Sequence, residues 1–341
     1  MYAPTRKGAA EKLTSALAAR NGGALFTDAD ELSLGEYIAG WLETSVKGSV
    51  KAISYEQYAR MVRVHVAPAL GHIKLVKLTP GHLQSFYQSK LADGMAPGSV
   101  RQLHTIVHRA LSQAHKWRLV HENVAAATDP PKPQPKEIRP LDADQAMRLL
   151  DATRGTRFGA AFVLALTTGA RIGEILALHW DDAEPDRATM RIARTLSEAK
   201  GGPRFTTPKS GKGRSVKLTA LAVEALHRHR ARQNEERLRA GGAWCDNDLV
   251  FTTRLGTPYQ RVHLEKRHFR PLLAQADLPR ITLHDLRHTA ATLLLSEGVH
   301  PKLVQELLGH SSIAITLDRY SHFLPSMGDQ TALAMDAALS R

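Results

Sequence analysis

Apolar positions three and four residues apart recur along most of the chain, and that spacing predicts helices. Leu34, Ile38, Trp41 and Leu42 mark one amphipathic face. Tyr55, Tyr58, Met61, Val62 and Val66 mark a second, closed by Pro68 and Gly71. Thr79-Pro80 sets an N-cap before a proline at the first helical position, opening a helix to about Ala92. Ser99 and Gln102 have capping-box spacing and predict a helix through Val107, Leu111 and Ala114 to about Trp117. Four such helices make a small bundle over residues 31–128. Ahead of it, residues 1–30 are polar and alanine-rich, with a short helix predicted before Asn21-Gly22-Gly23.

Residues 129–140, DPPKPQPKEIRP, place five prolines among charges. Such a stretch cannot continue a helix and reads as a semi-rigid spacer, either a plain linker or the joint of a clamp. A second domain follows over 141–326. A helix is predicted from Leu141 to Leu150, then an almost wholly apolar, hence buried, helix from Phe158 to Thr167. Gly169 breaks the chain, and a new helix opens at about Arg171. Thr189-Met190-Arg191-Ile192 and Arg214-Ser215-Val216-Lys217-Leu218 alternate as strands, with a turn at Ser210-Gly211-Lys212-Gly213 between them. Residues 220–240 form a long charged helix ended by Gly241-Gly242, and residues 263–276 another. Thr282 and Asp285 form a capping box ahead of the stripe Leu286, Ala290, Leu293 and Leu294, which Gly298 stops. A further helix runs from near Pro301 to Gly309. Residues 327–341 form a tail that can fold as a short amphipathic helix. The fold class is therefore mainly α with a small β-sheet: a helical bundle, then a mixed α+β domain.

Composition sharpens this picture. The 341 residues carry a formal net charge of +13, with a pI near 10.0. That balance predicts an anionic partner, nucleic acid first and an acidic membrane second. No run of about 18 apolar residues exists to span a bilayer, and the N-terminus lacks the apolar core of a signal peptide. Cys245 is the only cysteine, so no intramolecular disulfide is possible. A cytoplasmic, chromosome-associated bacterial protein is expected. Scattered basic residues are ordinarily a solvated surface. Together they suit a helical module laid on DNA, with Lys51, Arg101, His104 and His108 as candidate contacts, and Lys212 and Arg214 on the hairpin.

The candidate chemistry lies between His284 and Tyr320. His284 and Arg287 stand three apart in the first turn of a helix, on one face, where backbone N–H groups favour an anion. His310 follows the stop of the next helix, and Tyr320 lies ten residues further on. Arginine, histidine and tyrosine without a carboxylate cluster suit a phosphodiester transition state. Arginine answers its excess negative charge, histidine donates a hydrogen bond, and a tyrosine hydroxyl can attack the phosphorus. Arg171, pinned at a helix start between buried segments, is placed for a phosphate, with Glu174 one turn on to orient it. Two rival metal readings are weaker. His284 and His288 have the four-residue spacing of a zinc site, but Arg287 lies between them and no acidic third ligand follows. Asp181-Asp182 stand alone.

The string His284-x-x-Arg287, then Leu308-Gly309-His310, then Tyr320-Ser321-His322, resembles the C-terminal signature of the tyrosine recombinases, the phage-integrase family. The resemblance covers about residues 31–326. It implies that 31–128 is a core-type DNA-binding domain and 141–326 the catalytic domain. Residues 1–30 then resemble the end of a linker that follows an arm-site-binding domain, a domain not seen in this sequence. At the family's usual Asn-Pro this chain has Asn123-Val124. The resemblance implies Arg171 as the first active-site arginine. It also implies a hairpin lysine that protonates the leaving 5′ oxygen, Lys209 by its Pro-Lys-Ser context, with Lys212 as the alternative. Arg171, Arg287 and His310 would hold the phosphate, Glu174 would support Arg171, and His284 would assist proton transfer or position the phosphate. Tyr320 would form a 3′-phosphotyrosyl link.

The implied function is site-specific DNA recombination without metal or other cofactor. The implied partners are double-stranded recombination sites and three further copies of the chain in a tetramer on DNA, the free protein being a monomer. A directionality factor or host DNA-bending protein would assist, and no membrane is involved. The C-terminal helix would dock on a neighbouring subunit or on its own domain. A type IB topoisomerase-like relaxation enzyme and a non-catalytic DNA-binding accessory protein are the alternatives.

Overall fold

A computed structural model describes residues 30–134, 139–199, 202–207, 213–321 and 335–340. The chain divides into two compact units, Met1–Lys136 and Glu137–Arg341.

The first unit is helical throughout its regular elements. Ser33 caps α1 (Leu34–Trp41): its Oγ accepts from the Glu36 N–H at 3.3 Å, and Glu36 accepts from the Ser33 N–H at 3.0 Å. Leu34, Tyr37, Ile38 and Trp41 are buried, as their spacing predicts. The second helical stretch differs from expectation. Pro68 does not stop it. After α2 (Ala52–Met61) a π-type turn over Val62–Val66 leads into α3 (Ala67–Leu70), with Pro68 in its first turn. The wider π-type turn upstream accommodates the proline ring and its missing N–H, so the helix continues to Leu70. α4 (Pro80–Ala92) starts at Thr79, whose Oγ1 accepts from the His82 N–H at 3.3 Å. α5 (Pro97–Lys116) begins two residues before Ser99, because Ala96 is extended and Pro97 presets the first helical φ. Its Val100, Leu103, Ile106, Val107, Ala110, Leu111 and Ala114 all turn into the core. Tyr37 Oη crosses that core to donate to the Ala110 carbonyl at 2.7 Å.

The second unit is built on a buried apolar helix. Asp142 caps α6 (Ala143–Thr153), its Oδ1 accepting from the Gln145 N–H at 2.8 Å. α7 (Gly159–Thr168) buries every residue except Thr167, so it lies at the centre of the unit. Gly169 ends it at φ +60°. A Cβ there would stand 2.5 Å from Leu308 Cδ2, so packing as well as backbone requires glycine. The short α8 (Ile172–Ile175) follows.

β1 (Ala183–Glu184), β2 (Thr189–Ile192) and β5 (Arg214–Lys217) form an antiparallel sheet in that order, with Ile192 opposite Arg214. Between β2 and β5 the chain inserts a second hairpin, β3 (Thr195–Ala199) with β4 (Gly202–Thr206), pairing Leu196 with Phe205. The sequence shows only diffuse strand character there, since the hairpin's polar residues do not alternate. α9 (Ala220–Ala240), α10 (Arg261–His263) and α11 (Arg270–Gln275) complete the scaffold.

Three helices then carry the C-terminal motifs: α12 (Asp285–Ser296), α13 (Pro301–Leu308) and α14 (Ile313–Tyr320). α12 starts at Asp285, three residues past Thr282. The reciprocal half of the expected box remains, with Asp285 Oδ2 accepting from the Thr282 N–H at 2.6 Å and Thr282 Oγ1 at 2.8 Å. Residues 335–339 are helical, with Met335 and Leu339 exposed. No helix among the described residues is long and apolar enough to cross a membrane.

Candidate active site

Two arginines of the second unit converge on one buried carboxylate, Glu174. Arg171 closes the turn after Gly169 as the N-cap of α8. Its backbone N–H donates to Glu174 Oε2 at 3.1 Å, and its Nη1 donates to Glu174 Oε1 at 2.9 Å. Arg214, at the start of β5, donates Nη2 to Glu174 Oε2 at 2.8 Å and Nε to the Leu307 carbonyl at 3.0 Å. The Glu174 side chain is 1 % exposed. Burial alone would raise its pKa. The hydrogen bond and charge of Arg214, then those of Arg171, outweigh burial and hold the carboxyl below its usual range. Arg214, expected as a DNA contact, thus has its guanidinium engaged on Glu174. Through Leu307 it ties β5 to the last turn of α13, three residues before His310.

Arg287 is the third guanidinium. It is 2 % exposed, and its Nη1 donates to the Gly169 carbonyl at 2.8 Å. Its Nη2 is buried with no hydrogen-bond partner. Such a group costs about 1–3 kcal/mol or more unless something accepts from it. Burial, then the charge of Arg171, lower its proton affinity, with Arg214 adding to the effect. Glu174 and the Tyr320 phenol oppose it. Arg171, Arg214 and Arg287 therefore surround Glu174 with more positive charge than it can neutralise. The arrangement is preorganised for an anion.

His310 sits past α13, where Gly309 turns the chain at φ +66°. Gln305 Nε2 donates to the His310 carbonyl at 2.6 Å, and His310 Nδ1 pairs with the buried Thr316 Oγ1 at 2.9 Å. That leaves Nε2 as the nitrogen to offer a ligand. Burial, then Arg287 and Arg171, push its pKa down to about 4. His284, exposed at the N-cap of α12, is pushed to about 4 by its crowded surroundings and then by His288 and Arg287. Both rings are neutral at pH 7.

Tyr320 closes α14 as a packed core residue, 1 % exposed, in a cluster with Ala291, Leu295, Val304 and Leu308. Burial raises its pKa, while Arg287 and Arg319 pull the other way. Its Oη lies 2.6 Å from Nδ1 of the buried His288. The His284 ring meets His288 edge to face at 4.9 Å. The pair that sequence spacing offered to zinc therefore has its inner member engaged on the tyrosine. Sequence reasoning missed this role of His288. The only local signal was its position one turn after His284, directly following Arg287.

Lys209 and Lys212 lie outside the described residues, as does His322. In the first unit, Arg101, His104 and His108 fall on one stripe of α5, with the two histidine rings 5.7 Å apart. His104 Nδ1 lies 3.1 Å from Tyr87 Oη, which half-buries the ring, while Arg101 is exposed. Lys51 is exposed at the N-cap of α2.

The pattern of the phage integrase family matches residues 139–326, and that of the phage integrase N-terminal SAM-like domain matches residues 33–91. A tyrosine recombinase XerC-like protein of Caldanaerobacter subterraneus subsp. tengcongensis is 30% identical, with 95% of this chain and 88% of that protein covered. Among solved structures, the Tn1549 transposon integrase in complex with a circular intermediate DNA superposes with a TM-score of 0.74 at 20% identity, covering 90% of this chain and 100% of that one. A lambda integrase tetramer bound to a Holliday junction gives 0.63 at 18% identity, covering 96% and 89%. Neither the relaxation enzyme nor the accessory protein is favoured by these matches.

Proposed function

The chain belongs to the phage integrase family and is a tyrosine-type site-specific DNA recombinase, and on that premise we propose that Tyr320 is the nucleophile that cleaves and rejoins the DNA. Its Oη attacks the scissile phosphorus, forming a 3′-phosphotyrosyl bond and releasing a 5′ hydroxyl. The linkage conserves the energy of the phosphodiester, so a 5′ hydroxyl from a partner strand reverses the reaction and exchanges strands. Arg171, Arg287 and His310 hold the non-bridging oxygens. Glu174 orients Arg171. His284 positions the phosphate or assists proton transfer, and Lys209 protonates the departing oxygen.

The observation that carries this reading is the buried, partnerless Nη2 of Arg287 within a cluster where guanidiniums outnumber carboxylates. A pentacoordinate phosphorane carries more negative charge than the phosphodiester it comes from, so this cluster favours the transition state over the ground state. Lys51, Arg101, His104 and His108 contact the DNA in this reading. Exchange between two duplexes engages four protomers, the assembly in which the lambda integrase was solved on a Holliday junction. No metal takes part.

A suicide substrate tests the proposal. Nicked DNA carrying the element's own recombination site is incubated with wild type and with Tyr320→Phe in the presence of a chelator. A protease-sensitive protein–DNA adduct for wild type alone is the expected result. No adduct from wild-type protein that demonstrably binds the same DNA would sink it.

A further inference from the structure

Tyr320 cannot attack until it loses its proton. A phenol with an unperturbed pKa of about 10 holds that proton at neutral pH. Burial moves this one higher still. A proton acceptor within hydrogen-bond reach of Oη is therefore needed. Arg287 and Arg319, the cations near the ring, cannot take a proton. His310 has its Nδ1 on Thr316, and the His284 ring packs edge to face on His288. Among the described residues, the hydrogen-bond partner of Oη is His288 Nδ1, at 2.6 Å.

We propose that His288 is a catalytic residue, the general base that takes the Tyr320 phenolic proton as Oη attacks the phosphorus. The inference rests on Tyr320 being the nucleophile. In the resting chain the phenol donates to Nδ1, and His288 keeps its own proton on Nε2. As the Oη–P bond forms and the P–O5′ bond breaks, the phenolic proton moves to Nδ1. The resulting imidazolium lies beside a transition state of opposite charge, and the leaving oxygen takes its proton from a separate acid. Rejoining reverses each transfer, and His288 returns the proton to Oη.

The surroundings keep His288 ready. Burial disfavours its charged form, with Arg319 of α14 and Arg287 of its own helix adding to that, against Asp285. His284 on the same helix and His310 beyond α13 are the other titratable groups near it. The ring is therefore neutral in the resting site and can accept.

Two substitutions separate a base from a tether. His288→Asn keeps an oxygen acceptor near the position of Nδ1 but cannot accept the proton at neutral pH, whereas His288→Ala removes both. Adduct formation is timed on suicide DNA and on the same DNA with sulfur replacing the bridging 5′ oxygen, which leaves without needing a proton. Both variants should be slower by about 10²–10⁴-fold on either substrate. Wild type on the sulfur substrate should show an acid limb in its pH profile, below the ordinary imidazole range. The variants should instead speed up continuously as pH rises toward ionisation of the phenol.

Wild-type rates from His288→Asn, or recovery of both variants on the sulfur substrate, would overturn the proposal. A wild-type profile without an acid limb on that substrate would overturn it too, whether or not the variants fold. Failure of wild type to form any adduct would instead count against Tyr320 as nucleophile.

Discussion

Two sides of the same site are built on opposite principles. The cation side, Arg171, Glu174, Arg214 and Arg287, keeps permanent charges in place by sharing one buried carboxylate among guanidiniums. The proton side, His284, His288, His310 and Tyr320, consists of groups that are uncharged at neutral pH, with His288 and Tyr320 held so by burial. A fixed field stabilises charge without reorganising during the reaction. A proton relay needs members that can change state, so neutrality at rest serves it better than charge. The contrast predicts that damage to the first side lowers the rate at every pH, and that damage to the second changes how the rate depends on pH.

The largest effect should come from taking the shared carboxylate away. Glu174→Ala leaves Arg214 largely buried without its counter-charge, and losses of this kind cost about 3–5 kcal/mol. Urea unfolding at pH 7 should show that drop. A loss below about 1 kcal/mol would mean that Glu174 does not hold the cation side together. Arg287→Ala comes next. Removing one donor to a developing anion costs about 10²–10³ in rate, so single-turnover cleavage should fall by that factor at every pH. A loss confined to one end of the pH range would blur the division between the two sides.

Gly309→Ala tests the link between them. The residue sits at φ +66°, and a Cβ there would stand 3.0 Å from Arg214 Nη1. The strain of a left-handed alanine is about 1–2 kcal/mol. The displaced guanidinium should also slow cleavage, although position 309 contributes no side chain to the chemistry. Full activity in this variant would show that Arg214 is not a bridge.

The smallest effect is the dependence of stability on pH. His310, and His229 buried in the scaffold, have folded pKa values of about 4 against an ordinary 6.5. Below pH 6.5 the unfolded chain binds protons that the folded chain refuses. Stability should therefore be full above that pH and decline as pH falls toward about 4. His310→Gln should flatten part of that slope. An unchanged slope would show that His310 is not held neutral.

Much of this molecule was legible in its residues. Helical spacing located α1 and α12, because a buried face recurs every three or four positions wherever a helix packs on one side, and an almost unbroken apolar run located α7. Thr79-Pro80, Asp142 and Gly309 marked their helix ends for reasons confined to a few neighbouring atoms. Pro68 misled, since a π-type turn upstream let the helix absorb it, and β3–β4 showed only as diffuse strand character because its polar residues do not alternate.

The motif residues announced Arg171, Arg287, His310 and Tyr320 as a group. Only the tertiary structure decided what each of them touches. His288 reaches Tyr320 across 32 residues of sequence, Arg214 reaches Glu174 across 40 and the Leu307 carbonyl across 93. Backbone preference and apolar periodicity act over a few residues, so a sequence displays them directly. Which polar side chains meet across that distance is settled by how the helices and the sheet pack.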